Sequence, residues 1–488
     1  MTVLLSEVAR AVGGVLTGAD VEVATATHDS RAVVAGALFC AIVGTNHDGH
    51  DHVADAVAAG AVAALVERDV DVDVSRVRVP NVRRAAGPAA AVIHGHPSRS
   101  MDVIGVTGTN GKTTVTWMLE AAIGASGRGA GVIGTIGARV HGEPVSLERT
   151  TPEGPDFQRL LATMRDRGVE MVATEVSSHA LDLHRVDGTW FRVAAFTNLT
   201  QDHLDHHGDM ETYYRAKRAL FTAAFAEQAV IWIDDEHGAR LATETDLPVT
   251  SVGTAATADA VLREPQATLA GGTARLEVDG GTLELATPLL GGHNLANAAV
   301  AAVAAIRSGL DAHAVIEGIA AATPPPGRLE RVDEGQPFTV LVDYAHTPDA
   351  VAVVVDELRQ LLPAGGRLHV VVGAGGDRDA TKRGPMGAAA ARADHVVATS
   401  DNPRSEDPQV ILEAVVAGAR GAATTPDAVE GVLDRREAIR RAFAAAAADD
   451  IVLIAGKGHE QHQELADRVV EFDDRVVAAE ELRGLVPS

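Results

Sequence analysis

A chain of 488 residues has room for about three domains of ordinary size. Its formal net charge of −25 at pH 7 opposes binding to nucleic acid or an anionic membrane, so any phosphate site must be locally basic or built from backbone N–H groups. One cysteine, Cys40, excludes an internal disulfide framework; with no signal-peptide pattern and no apolar run near the roughly 18 residues of a membrane span, a cytoplasmic protein is expected.

Aromatic residues make up 3% of the chain, so Ala, Val and Leu must fill the cores. The first hundred residues read as short elements: a strand over 37–43 that buries Cys40 as a small hydrophobe, a helix over 52–59 and a strand over 61–66. The stretch 94–99 reads as a linker and places the first domain at 1–99. A strand over 102–106, a Gly-rich turn and a helix over 113–122 open the second region. Strands over 170–175, 193–197 and 229–233 follow, with helices over 213–224 and 293–306. The Pro-rich run 323–328 divides a central domain, 100–327, from a third, 328–488. That third region alternates again: strands over 339–342, 368–372, 395–399 and 451–454, with helices over 348–362 and 442–448. Alternation of this kind predicts an α/β protein with parallel sheets, whose ligands bind beyond the carboxyl ends of the strands.

The turn after the first central strand reads Gly108, Thr109, Asn110, Gly111, Lys112, Thr113, Thr114. Strand, Gly-rich turn and helix are the context of a phosphate-binding loop. Backbone N–H groups face phosphate oxygens, Lys112 adds a point charge, and the Thr113 hydroxyl can ligate Mg²⁺. The strict pattern has glycine where this chain has Val106. A P-loop alone fits kinases, ATPases and ligases. Glu175 ends a strand, where a carboxylate suits a hard cation. Three His and two Asp fall within 202–207, without the spacing of familiar zinc sites. Lys217, on a helix, reads from physics alone as a surface lysine.

Jointly, and in this order, these residues resemble the Mur ligase family: 108–114, 175–179, 198–206, Lys217, His293 with Asn294 and Asn297, Arg328, Asp343 and the C-terminal loops. The resemblance covers essentially the whole chain, and the family tolerates a P-loop lacking the first glycine. It implies three domains: an N-terminal α/β domain for the uridine nucleotide, a central P-loop ATPase-like parallel sheet, and a C-terminal Rossmann-like domain for the incoming amino acid. Within the family the chain is most similar to members that add the third stem-peptide residue to UDP-MurNAc-L-Ala-D-Glu.

By motif, the resemblance assigns Ser30, Arg31, Asn46, His47 and Asp48 to the UDP end, and Thr150, Thr151 and Pro152 to the channel for the sugar-peptide. Ser178 and Arg185 fall at further substrate contacts. Asn294, Arg328 and Asp343 match nucleotide-holding positions. Thr113, Glu175 and His203 would serve Mg²⁺, and Lys217 matches a lysine that the family carbamylates. His346 receives no role.

Meso-diaminopimelate differs from lysine by a second carboxylate, which needs a cation; Arg suits bidentate recognition of it. The loop Asp401, Asn402, Pro403, Arg404 resembles the family's diaminopimelate motif, in which the Arg is diagnostic. Arg378 resembles another ligand position, Glu460 would take the distal ammonium, and Gly456 would contribute backbone. The bland alternative for Arg404 is an ion pair with Glu406 or Asp407. The expected activity is ATP-dependent ligation through an acyl phosphate, by a monomer with no nucleic-acid or membrane partner. The competing readings are a lysine-adding, D-alanyl-D-alanine-adding or folate-extending relative, a P-loop kinase or hydrolase, and a nucleotide sensor. The 401–404 loop argues against the other ligases.

Overall fold

The computed structural model describes residues 2–44, 47–145, 147 and 150–485, so Asn46 lies outside the described residues. Among the described residues, three large sheets follow one another along the chain, beside two two-stranded ribbons. The first has five strands in the order Val15–Thr17, Ser75–Arg78, Ala61–Val66, Ala37–Cys40, Thr25–Thr27, parallel except at the first pair. The helix Val82–Ile93, capped by the Asn81 side chain on the N–H of Arg84, covers one face. Its Val82, Ala85, Ala86, Ala89, Ala90 and Ile93 recur at helical spacing and enter that core beside Leu38, Cys40 and Leu65. Burial pushes the Cys40 thiol up to about 12, so it packs as an inert apolar group.

The second sheet has eleven strands. Its parallel centre runs Ala130–Gly134, Met171–Glu175, Asp102–Thr107, Val193–Phe196, Ala229–Trp232, Val249–Gly253. Along the middle strand Val103 faces one core, and Ile104 faces the other. Helices Lys112–Ala125, Gly292–Arg307 and Ala312–Ala320 fill one side with Val115, Met118, Leu119, Leu295 and a run of alanines. Phe157, Leu161 and Met164 of the helix Gly154–Asp166 fill the other. Alternation did not foretell the antiparallel extension Ala260–Thr268, Gly271–Val278, Gly281–Thr287 at one edge.

The third sheet runs Glu330–Val332, Thr339–Asp343, Ile451–Ala455, Leu368–Ala374, His395–Ser400, Val429–Gly431, parallel except at its first pair. Helices cover both faces. The molecule is thus an α/β protein built on parallel sheets. Two expected helices differ. The one carrying Lys217 spans Met210–Arg218, because Asp209 caps it on the Thr212 N–H, earlier than the 213–224 reading. The Ala-rich stretch belongs to Arg435–Ala445, whose Asp434 cap lies well before the alanines. Among the described residues no helix is long and apolar enough to cross a membrane.

Candidate active site

The strand Asp102–Thr107 delivers the chain into the phosphate loop between two neighbouring strand ends. A Cβ on Gly108 would overlap Thr197 Oγ1, and one on Gly111 would overlap Asn297 Oδ1, so both glycines permit close approach. Val106 is fully buried in the strand, which shortens the loop to the four residues between Thr107 and Lys112. Lys112 opens the helix and folds back, its Nζ donating to the carbonyls of Gly108 (2.9 Å) and Thr109 (2.8 Å). Desolvation lowers its pKa, with Glu175 and Asp202 opposing. The Asn110 N–H donates to Asn198 Oδ1 at 2.9 Å, and Thr114 is buried.

Glu175 is buried at the end of its strand. It accepts from Thr113 Oγ1 (2.9 Å), the Thr135 N–H (2.8 Å) and Thr135 Oγ1 (3.0 Å). Thr150 Oγ1 lies 3.1 Å from Thr135 Oγ1, and Thr151 Oγ1 donates to the Glu175 carbonyl at 2.9 Å. Arg185 stands 3.0 Å from Glu153, which also pairs with Arg83 of the first domain's helix at 3.2 Å. Ser178 is buried with Oγ 2.9 Å from His207 Nε2.

The acidic and histidine loop folds beside this. His203 adopts a left-handed backbone and packs 4.8 Å from the His179 ring. Its pKa falls to about 4, through desolvation and the nearby His179, Lys112 and Lys217, with Asp202 opposing. The imidazole is therefore neutral at pH 7, with a lone pair available. Lys217, which physics alone had placed on the surface, is 1% exposed. Its Nζ donates to the Gly108 carbonyl at 2.7 Å and sits 4.6 Å from the Tyr213 ring centre. Desolvation and Lys112 hold its pKa well below the ordinary lysine value. So the phosphate loop, Glu175, His203 and Lys217 form one cluster.

The third domain leans on that cluster. Arg328 lies over the Tyr344 ring at 4.7 Å, its Nη2 3.4 Å from Thr113 Oγ1, while its Nε is buried without a hydrogen bond among the described residues. Asp343 accepts from the Leu329 (2.7 Å) and Ala345 (2.8 Å) N–H groups, and burial raises its pKa against the pull of Arg328. Asn294 donates to the Leu290 carbonyl at 2.6 Å and accepts from Asn297 at 3.0 Å. Lys382 reaches Asp202 at 3.0 Å, a bridge across the domains that sequence reading missed.

A second cluster gathers at the carboxyl ends of the third sheet. Asp401 and Asn402 are buried, and the Pro403 carbonyl packs where a Cβ on Gly376 would stand. Asn402 Nδ2 donates to Glu460 Oε2 at 2.8 Å. The Gly456 N–H donates to the Asp343 carbonyl at 3.1 Å, which joins this cluster to the first. Arg378 is exposed above Gly375. Arg404 pairs with neither Glu406 nor Asp407: Glu406 holds Arg383 (2.8 Å), Asp407 caps the helix Pro408–Ala422, and Arg404 Nε meets Glu464 at 2.7 Å. Glu464 and Lys457 were missed; only the Gly-flanked position of Lys457, inside a recognised motif, signalled it.

In the first domain, Arg31 lies on Asp29 (2.9 and 2.7 Å), and Asp48 holds Arg68 (2.6 Å) and caps the short helix Gly49–His52. Ser30 is half-buried, and His47 is exposed. The two segments follow the strands Thr25–Thr27 and Ala37–Cys40 of the first sheet, which are paired in parallel.

Three family models match in chain order: the Mur ligase family catalytic domain over 22–98, the Mur ligase middle domain over 106–305, and the Mur ligase glutamate ligase domain over 327–458. The chain belongs to the Mur ligase family. Among curated Mur ligases, the UDP-N-acetylmuramoyl-L-alanyl-D-glutamate–2,6-diaminopimelate ligase of Streptomyces avermitilis is 45% identical, over 98% of this chain and 96% of its own. That of Geobacillus thermodenitrificans is 44% identical over 94% and 95%. A solved structure of a ligase of this same name covers 99% of both chains at 31% identity, with a TM-score of 0.72. A folylpolyglutamate synthase of Mycobacterium tuberculosis, complexed with ADP and AMPPCP, shares the fold at 24% identity, with a TM-score of 0.62 over 83% of this chain and 94% of its own.

Proposed function

We propose that this Mur ligase uses ATP to join meso-2,6-diaminopimelate to UDP-MurNAc-L-Ala-D-Glu, through an acyl phosphate, in cytoplasmic peptidoglycan precursor synthesis. The observation that carries the reading is the junction of two clusters: a phosphate loop with Glu175, His203 and Lys217, and the Arg404 loops joined to it through Asp343 and Gly456. Near-full-length relatives named for this reaction support it.

The domains take the roles of UDP-substrate binding (1–99), ATP binding (100–327) and amino-acid binding (328–488). Ser30, Arg31, Asn46, His47 and Asp48 hold the UDP end; Thr150, Thr151, Ser178 and Arg185 line the way from there to Glu175. Residues 108–114, Asn294, Arg328 and Asp343 hold ATP.

Among the described residues no group of three or more His, Cys, Asp or Glu can hold a metal by itself. Mg²⁺ bound with substrate phosphates needs only one or two protein oxygens. Thr113 Oγ1 and Glu175, 2.9 Å apart, fit that need, as do neutral His203 and a carbamylated Lys217 for a second ion. The lowered pKa of Lys217 favours the free amine, the form that adds CO₂. Bound there, Mg²⁺ would neutralise charge on the phosphoryl group in transfer.

Lys112 and the loop N–H groups orient the γ-phosphate for in-line attack by the D-Glu γ-carboxylate, releasing ADP. Arg404 holds the side-chain carboxylate of diaminopimelate, and Glu460 its distal ammonium. The other amine then attacks the acyl carbon, and phosphate leaves the tetrahedral intermediate. Arg328, at the domain junction, draws the third domain over the acyl phosphate and keeps water out. The test is to change Arg404 to Ala: kcat/KM for diaminopimelate should fall by about a hundredfold, as for a lost charge-assisted pair, while ATP binding is kept. An unchanged value removes Arg404 from the amino-acid site.

A further inference from the structure

The loop that carries Arg404 is laced to a small hairpin, His462–Glu464 paired with Val469–Glu471. Gln463 Nε2 donates to the Asp401 carbonyl at 2.6 Å, and the Glu464 N–H donates to Asn402 Oδ1 at 3.0 Å. The buried Lys457 donates to Asn402 Oδ1 (3.2 Å), Glu460 Oε2 (3.1 Å) and the His462 carbonyl (2.6 Å). Arg404 itself, left-handed at φ 51°, is gripped twice by one residue. Its N–H donates to the Glu464 carbonyl at 3.0 Å and its Nε to Glu464 Oε2 at 2.7 Å. Nη1 donates to the Gly376 carbonyl at 2.8 Å, and Nη2 makes no hydrogen bond among the described residues.

We propose that Glu464 is a positioning residue for Arg404: it fixes the guanidinium through Nε, so that Nη2 and the remaining Nη1 hydrogen face the side-chain carboxylate of the incoming amino acid, and so sets the preference for diaminopimelate over lysine. The proposal rests on the assignment of Arg404 to that carboxylate. Bidentate recognition depends on a fixed guanidinium plane, and a long, unrestrained Arg loses that orientation. Glu464 is a second carboxylate beside the one to be bound, yet it costs little affinity. Its side chain is 47% exposed against 23% for Arg404, so water and salt screen its repulsion, while its bond to Nε remains directional. Of the acidic residues that follow Arg404 in the chain, Glu406 is committed to Arg383 and the Asp377 N–H, and Asp407 to its helix cap.

The test compares Glu464→Ala, Glu464→Gln, Arg404→Ala and the Arg404→Ala/Glu464→Ala double variant in the full chain, with diaminopimelate and L-lysine as alternative amino acids. Glu464→Ala should raise KM for diaminopimelate about tenfold and lower the diaminopimelate-to-lysine ratio of kcat/KM by a similar factor. KM for ATP and for the UDP-dipeptide should stay within about twofold. Glu464→Gln, which keeps an oxygen for Nε, should recover most of the loss. In the Arg404→Ala background Glu464→Ala should add nothing, because it acts through that Arg. An unchanged or lowered KM for diaminopimelate in Glu464→Ala overturns the proposal, the lowered value marking Glu464 as a competitor for Arg404. Equal rises in all three KM values overturn it too, as a loss of fold. If Arg404→Ala alone leaves diaminopimelate KM unchanged, the assignment of Arg404 fails and the proposal with it; if Arg404→Ala is impaired but Glu464→Ala is not, only the positioning role fails.

Discussion

Lys217 shows how a residue can be legible by motif and misleading by chemistry. On an exposed face a lysine keeps its charge; here burial, with Lys112 nearby, depresses the pKa of an amine that donates to the Gly108 carbonyl and sits over the Tyr213 ring. Lys217→Met should therefore lower kcat by about a hundredfold or more, with the fold retained, since an apolar chain suits the buried slot. Steady-state kinetics beside a thermal melt check this; near-normal turnover would remove Lys217 from the reaction. His94 gives a separate prediction. Burial and the cations Arg159 and Arg165 hold its pKa near 4. The unfolded chain takes that proton at about 6.5, so stability is full above that pH and declines as pH falls toward 4. His94→Gln should flatten the decline, as read by urea unfolding across that window; an identical pH dependence would show that His94 does not contribute. Consecutive motif residues such as 108–114 were legible because local backbone geometry dictates them. Thr135, Lys382 and Glu464 were not, because each meets its partner across 40, 180 and 60 positions of chain.

At the scale of elements, strands with continuous apolar runs were legible to within a residue or two, because both faces are buried, except the one read over 37–43, which ends at Cys40. The antiparallel strands over 260–287 were not: exposed residues such as Thr273, Arg275 and Glu277, alternating along Gly271–Val278, dilute the apolar signal. Packing between elements was also hidden. The helix Val82–Ile93 meets the central domain at Gly87, where a Cβ would overlap the Asp187 carbonyl, and Gly154 packs against the same turn. Gly87→Ala should cost about 1–3 kcal/mol by overpacking. Chemical denaturation measures it, and an unchanged midpoint would mean that the interface yields freely. In the third domain, the fully buried pair Arg435–Asp474 ties the helix Arg435–Ala445 to Asp474–Leu485 by bonds of 2.7 and 2.6 Å. Asp474→Ala strands a buried guanidinium and should cost about 3–5 kcal/mol.

Across the whole molecule, the three-sheet order was readable from alternation and two breaks in composition, and the chemistry from motifs that the folds bring to strand ends. What sequence could not give is how the third domain meets the second. Lys382–Asp202 and the approach of Arg328 to Thr113 join them, and the Gly456 N–H links the loop after the strand Ile451–Ala455 to Asp343, next to Arg328. The account's central claim is that these clusters form one ligase site selective for a second carboxylate. ATP-dependent ligation of UDP-MurNAc-L-Ala-D-Glu, with meso-diaminopimelate and L-lysine offered separately and the product read by mass, tests it most directly. A tripeptide product with diaminopimelate and little with lysine is the predicted result. Equal or greater product with lysine would contradict the role of the Arg404 loops, and ATP hydrolysis without either product would contradict the ligase itself.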